Sequence, residues 1–261
     1  MNAQYNRLYD EILFTRQLLG IGLTYLRKSS FENKGVYFQS FTNLSLGIER
    51  LCKICLIVNH LKSHNSYPNT KDVTKFGHNL VKLFESISTL KEASNDLKEI
   101  HKSIISHLSN FADSKGRYSN INFLTEGSTF DPILEWSNID NIIINNLLTE
   151  KQKEKLEAQK HSHYLLGNSL PAFTSGFEDE RRESISNVGT LFSRNIEINY
   201  ISGYRCLYVI QIIEFLFNVL NSLNHKLNSK FHLKELNRVF ATILYGTDAE
   251  KRRRKNFVRD S

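Results

Sequence analysis

Chain breakers are scarce in this protein. Its 261 residues include 3 prolines and 12 glycines, and long stretches between them contain neither. An all-β chain of this length needs many more turn residues, so the sequence predicts an all-α protein. Cysteine is scarcer relative to length, with only Cys52, Cys55 and Cys206. An odd, sparse set argues against a secreted disulfide framework and for a reducing cytoplasm. Cys52 and Cys55 form a C-x-x-C, but no second cysteine pair and no βαβ context accompany it. Helix packing therefore accounts for both thiols better than redox or zinc chemistry does.

Other features are missing as well. The opening residues, Met1 to Arg7, are polar and carry no secretory-signal pattern. The most apolar stretch, Leu207 to Leu220, is interrupted by Gln211, Glu214 and Asn218. Those residues recur every three or four positions, which describes a thin polar stripe on a buried helix, not a membrane span. No Walker loop, glycine-rich dinucleotide turn, zinc-finger spacing or nucleophile elbow is present. His161 and His163 have no acid or cysteine in a metal-ligand register beside them. The expectation is a cytoplasmic protein with no membrane segment, no metal and no cofactor.

Hydrophobic residues make up 40% of the chain and charged residues 23%, an ordinary globular composition. The net charge of +7 is unevenly placed. Residues 251–261 carry six basic residues and one acidic, whereas the preceding 250 carry 28 basic and 26 acidic. The excess belongs mainly to Lys251, Arg252, Arg253, Arg254, Lys255 and Arg259. Such a block either binds phosphates or remains a solvated terminus.

The apolar pattern sets out a series of helices. The first is expected over Tyr5 to Arg27 and the second over Tyr37 to Lys62, with the seam Leu44, Ile48, Leu51, Cys55 and Val58. A third opens near His78, with Leu80, Leu83, Phe84, Ile87 and Leu90 inward, antiparallel to the second. A fourth spans Ser94 to Ala112, followed by a loop from Asp113 to Phe130. Asp131 then reads as an N-cap and Pro132 as a first-turn proline. Residues 150–160 read as a charged, solvated segment, either a helical connector or the exposed end of the preceding helix, Gly167 to Gly176 as a hinge, and Asp179 to Glu183 as a solvated helix start. Helix resumes from about Arg182 to Asn224 and again over His232 to Tyr245. The organisation expected is an up-and-down multi-helix bundle over 1–149, a connector over 150–181, and further C-terminal helices with the basic tail over 182–261.

Within residues 1–145 one segment resembles a known family. The stretch Glu49-Arg50-Leu51-Cys52-Lys53-Ile54-Cys55-Leu56 is similar to the A-x-E-K-x-x-K-A-x-L helix of HEPN domains. Downstream, Gly77-His78-Asn79-Leu80 with Leu83 looks like that family's H-x-L-x-x-L helix start. Gly116-Arg117-Tyr118 resembles its R-Y near the end of the bundle. The resemblance implies a helical bundle, often dimeric, in a family that includes RNA-cleaving toxins, RNA-binding subunits and components of bacterial anti-phage and toxin–antitoxin systems. The departure is that no arginine in this chain is followed, after four to six residues, by the histidine that active HEPN ribonucleases carry.

Four residues are the catalytic candidates: His78, Arg117, Glu49 and Lys53. Imidazole titrates near neutral pH, so His78 suits general acid–base work, or alternatively caps its helix. Arg117 suits bidentate phosphate binding, or alternatively pairs with Asp113 or Asp131. Glu49 and Lys53, four apart, form a helix-surface ion pair or line a site. Arg117 and the tail residues Lys251, Arg252, Arg253, Arg254 and Lys255 are the nucleic-acid candidates. At 1.5 Å per residue, Lys53 lies about 13 Å from the helix end near Lys62, so the antiparallel order does not by itself bring His78 into contact with it. The expected function is an HEPN-like protein binding RNA or a nucleoprotein, with a metal-independent endoribonuclease or a structural adaptor as alternatives. A homodimer is expected because the seam over 44–58 and the block over 207–220 exceed the apolar surface one small bundle needs. A partner subunit encoded nearby is expected on the same resemblance.

Overall fold

The computed structural model describes residues 3–94, 96–127, 130–170 and 178–258. Among these residues the chain is helical and holds no strand; a lone bridge pairs Glu178 with Ser184. Helices α1 (Ala3–Lys28) and α2 (Lys34–His64) form an antiparallel hairpin through a 3₁₀ turn at Phe31–Asn33. Leucine on each helix seats over glycine on the other. A Cβ built on Gly22 would lie 2.7 Å from the Leu44 side chain, and one on Gly47 would lie 2.8 Å from that of Leu19. Those glycines lower helix propensity, and the close backbone approach they permit offsets the loss with extra packing.

Helix α2 ends at Asn65, which takes the left-handed conformation common past a helix terminus (φ 55°). The chain then runs through the short α3 (Thr70–Thr74) before α4 (Leu80–Ser88) and α5 (Glu99–Ala112). The antiparallel order expected for α2 and α4 is not what forms. His78, just ahead of α4, lies against Glu49 in mid-α2, while Glu92, beyond α4, meets Lys62 near the end of α2. Thus α4 runs in the same direction as α2, because residues 65–79 return along the helix before α4 begins. The segment expected as a loop over 113–130 holds two short helices, α6 (Ser114–Arg117) and α7 (Ser119–Glu126). Helix α8 (Pro132–Ile142) starts as the sequence suggests, with Asp131 accepting from the backbone N–H groups of Ile133 and Leu134. It continues into a π-helical turn at Ile143–Leu147.

Residues 150–160 are helical and mostly exposed, as their charge suggests, but start a new helix rather than ending the preceding one. They begin α9 (Glu150–Asn168), capped by the reciprocal Thr149–Gln152 box. This helix lies antiparallel along the first half of α10 (Val188–Asn224). The hinge expected over Gly167 to Gly176 is in part helix, through Asn168; its residues 171–176 lie outside the described residues. Helix α10 starts at Val188, later than expected, and runs unbroken. It is the one described helix long and apolar enough to cross a membrane, and 67% of its most apolar window is buried inside this fold.

The seam of α2 and the apolar block of α10 face each other within one chain. The Cys55 Sγ–H donates to the Leu216 carbonyl at 3.5 Å, and Arg205 lies over the Tyr37 ring. One continuous hydrophobic cluster runs from Leu8 to Phe257 and takes in α1, α2, α4, α5, α8, α10 and α11 (Leu236–Leu244). The boundaries expected at 149 and 181 therefore do not separate two cores. The apolar surplus from which a dimer was expected is consumed internally. Each fully buried Leu, Ile or Phe here contributes about 1.5–3 kcal/mol.

A buried ionic network fastens the 178–184 segment to this core. Arg205 and Asp140 are both fully buried and meet through two parallel hydrogen bonds of 2.7 and 2.5 Å. Tyr37 donates its hydroxyl to Glu180 at 2.9 Å, and the other Glu180 oxygen meets Arg194 at 3.1 Å. Arg194 also pairs with Asp179 and Glu197. Asp179 and Glu180 are buried, which corrects their reading as a solvated helix start. Their charge is satisfied inside the protein by an arginine 14 and 15 residues further along the chain.

Candidate functional site

Glu49 faces inward from the middle of α2 and is 4% exposed. Burying a carboxylate without partners costs several kcal/mol, and here both oxygens are engaged. Lys53, one turn on, donates to Oε1 at 2.6 Å, and His78 Nδ1 meets Oε2 at 2.8 Å. The ion pair expected from the four-residue spacing is present, and its carboxylate is also the anchor for His78.

Local chemistry fixes the histidine from both sides. Gly77 takes φ +56°, a conformation that a side chain disfavours. Asn79 caps α4 by accepting from the Lys82 N–H at 2.9 Å, and the Leu80 N–H donates to Ser109 Oγ on α5 at 3.1 Å. Capping, an alternative role for His78, falls to its neighbour Asn79. With Nδ1 donating to Glu49, the neutral ring leaves Nε2 as a proton acceptor. The His78 side chain is 61% exposed, so that nitrogen is reachable.

A cleft of about 530 Å³ opens beside it, lined by His78, Asn79, Ser109, Asn110, Arg117 and Tyr118 among others. Arg117 arrives there from the end of α6. The turn from α5 into α6 presses Gly116 onto Phe111; a Cβ at Gly116 would lie 2.4 Å from the Phe111 Cα. Asp131, one suggested partner of Arg117, is taken by Arg182 Nε at 2.6 Å. Asp113, the other suggested partner, lines the same cleft as Arg117. The fold thus brings His78 and Arg117 to one cleft, with Glu49 and Lys53 behind the histidine. Ser109 and Asn110 had no sequence signal, since they sit on a helix whose apolar face dominates its pattern.

The tail candidates divide. Lys251 is buried and pairs with Glu214 at 2.9 Å. Arg254 donates to the carbonyls of Thr242, Ile243 and Tyr245 at the end of α11. Arg252 lies over the Tyr204 ring at 4.7 Å, while Arg253 and Lys255 are exposed. Residues 248–253 form α12, and the buried Phe257 ring secures the segment beyond it. Arg259 lies outside the described residues. This segment is docked, so Lys251 and Arg254 are committed to the fold rather than offered to phosphates.

The cysteines are buried, and burial pushes all three thiols upward, Cys206 to about 12. That suits packing and not nucleophilic chemistry. Among the described residues no group of three or more His, Cys, Asp or Glu is placed to hold a metal ion. Compared with family models, curated proteins and solved structures, the chain matches none.

Proposed function

We propose that the protein binds single-stranded RNA in the His78–Arg117 cleft and cleaves it there without a metal ion. The observation that carries this reading is the hydrogen bond from His78 Nδ1 to the buried Glu49. A carboxylate on one ring nitrogen orients the imidazole and fixes its tautomer, leaving Nε2 to exchange the proton. In the proposed reaction Nε2 takes the proton of an RNA 2′-hydroxyl. The 2′-oxygen forms a bond to the adjacent phosphorus as the bond to the 5′-oxygen breaks. The proton returns from His78 to that departing oxygen, leaving a 2′,3′-cyclic phosphate and a 5′-hydroxyl. Arg117, exposed at the cleft, neutralises the charge gathering on the phosphate oxygens. Tyr118, 57% exposed at the cleft edge, offers a face on which a base can stack.

The test is cleavage of varied single-stranded RNAs by purified protein in EDTA, with melting followed in parallel. His78→Ala and Arg117→Ala should each lower the rate by about a hundredfold or more. Arg117→Ala should leave melting nearly unchanged, whereas His78→Ala leaves one buried Glu49 oxygen without its partner and should cost about 1–3 kcal/mol. Products ending in 2′,3′-cyclic phosphate are expected. If the wild type cleaves no RNA yet binds it in an Arg117-dependent way, the cleft is a binding site only and the catalytic reading fails. If neither cleavage nor binding occurs, the whole reading fails.

A further inference from the structure

A second cleft, of about 460 Å³, shares no lining residue with the first. Five cations surround it: Arg27 from the end of α1, Lys151 and Lys155 from α9, and Arg252 and Arg253 from α12. They come from positions as far apart as 27 and 253, so the cluster exists only in the folded chain. Among the described residues, none of the five is within ion-pair distance of a carboxylate. Their neighbours behave differently, for Lys153 pairs with Glu150, Lys160 with Glu157 and Lys251 with Glu214. The lining itself contains no Asp or Glu. By contrast, the other described clefts mix signs, with Asp113 beside Arg117, Glu135 beside Lys102, and Asp131 beside Arg182.

Two of the guanidiniums carry unused donors. Nε of Arg27 and Nε of Arg252 are buried without an acceptor. Arg50, Arg181 and Arg194 also have an unaccepted Nε, but their terminal nitrogens hold carboxylates. Arg27 and Arg252 hold only hydroxyls, those of Ser202 and Tyr204. Unpaired like charges around a concave space repel one another and focus a positive potential there. Along one wall stand Tyr200 and Tyr204, rings nearly parallel at 23° and 6.3 Å apart. Gln152 donates to the Tyr204 hydroxyl at 2.9 Å and holds that wall in place.

We infer that this cleft binds a compact organic polyphosphate, a nucleoside triphosphate or a molecule of the same triphosphate chemistry. One phosphate carries at most two charges and would leave most of the five cations unpaired, whereas a triphosphate chain matches them. The volume lies within the ordinary range for small-ligand sites, and the tyrosine wall gives an aromatic face beside the phosphates. A bound chain bridges α1, α9 and α12, so it fastens the C-terminal segment to the body. The inference is independent of RNA cleavage in the other cleft.

The experiment uses the full chain, titrated by calorimetry and by thermal shift with inorganic tripolyphosphate, ATP and GTP. Binding should raise the melting temperature by about 5 °C or more at ligand 100-fold above Kd. Lys155→Glu with Arg253→Glu reverses two exposed side chains that hold no ion-pair partner among the described residues, so folding is preserved. That double variant should weaken binding about a hundredfold, at roughly tenfold for each cation replaced. The exposed Lys71→Glu on α3 serves as a charge control and should leave binding unchanged. ATP binding more tightly than tripolyphosphate assigns a nucleotide, and equal affinities assign the phosphate chain alone. The inference is overturned if none of the three ligands binds, or if the double variant binds as the wild type does. It is also overturned if Lys71→Glu weakens binding equally, or if only single-stranded RNA binds in a way the double variant abolishes.

Discussion

Replacing Asp140 by Asn tests how the core is held. Asp140 and Arg205 are each fully buried and joined through two hydrogen bonds. The substitution keeps shape and volume but removes the only described carboxylate in direct contact with the Arg205 guanidinium. Loss of one member of a buried pair costs about 3–5 kcal/mol, because the survivor is left charged in a dry environment. Partial relief remains, since Arg205 also donates to the Ser29 carbonyl at 3.4 Å and lies over the Tyr37 ring at 5.4 Å. Glu180 contributes a further negative charge nearby. The lower end of that range, about 3 kcal/mol, is therefore expected. At roughly 2–4 °C per kcal/mol for a chain of this size, melting should fall by about 6–12 °C. Urea unfolding followed by circular dichroism measures it. Asp140→Leu with Arg205→Met removes both charges and should recover most of the loss, since an apolar pair of similar volume needs no desolvation. A single-variant loss below about 1 kcal/mol, or a double variant less stable than the single, would refute the reasoning.

Two further outcomes follow from buried geometry. His107 is packed against Phe41 and Trp136, neither ring nitrogen has a partner, and burial pushes its pKa down to about 3. The neutral form is therefore favoured on folding, and its stability contribution is intact above pH 6.5 and lost as pH falls from there towards 3. The loss should be about 1.4 kcal/mol at pH 5.5, and unfolding curves of His107→Phe should lack that part of the acid limb. At the C-terminus, a Cβ on Gly203 would lie 2.5 Å from the Arg252 carbonyl oxygen. Gly203→Ala should undock α12, cost about 1–3 kcal/mol and accelerate tryptic cleavage near Arg253; unchanged cleavage would contradict the close packing.

The legible part of the fold is the part with its own apolar face. Leu44, Ile48, Leu51, Cys55 and Val58 on α2, and Leu80, Leu83, Phe84 and Ile87 on α4, are all buried, as their spacing predicts. The illegible elements are those whose burial depends on distant residues. Only Leu156 and Gly167 of α9 are buried, so its sequence looks like a solvated segment although it packs along α10. On α7 no apolar side chain is buried, and Ile121, Phe123 and Leu124 are exposed, which leaves no periodic signal at all. Asp179 and Glu180 read as surface charge because the cation that meets them lies on α10. The basic cleft was hidden for the same reason. Only Arg252 and Arg253 of its cations stood out locally, within a tail whose other members Lys251 and Arg254 turn out to be structural.

The first cleft shows how one connection decides a site. His78, Arg117, Glu49 and Lys53 were each readable as chemistry-bearing residues, yet their meeting depended on the direction of α4. A short link between helices forces an antiparallel neighbour, and that order would leave His78 beside the end of α2. From Glu49 to His64 the helix spans about 22 Å at 1.5 Å per residue. Residues 65–77, if extended, reach about 43 Å at 3.3 Å per residue, enough to retrace that distance with a short helix to spare. The turn signals Asn65, Pro68, Asn69 and Gly77 mark where the chain bends and carry no information about where it goes. What settles the direction is burial. With α4 parallel to α2, Leu80, Leu83 and Ile87 enter the core while the carboxylate of Glu49 gains His78 as a second partner. In the antiparallel order Glu49 would keep Lys53 alone, with one buried oxygen unsatisfied at a cost of about 1–3 kcal/mol. The His78–Glu49 pair at the cleft therefore also favours the topology that builds it.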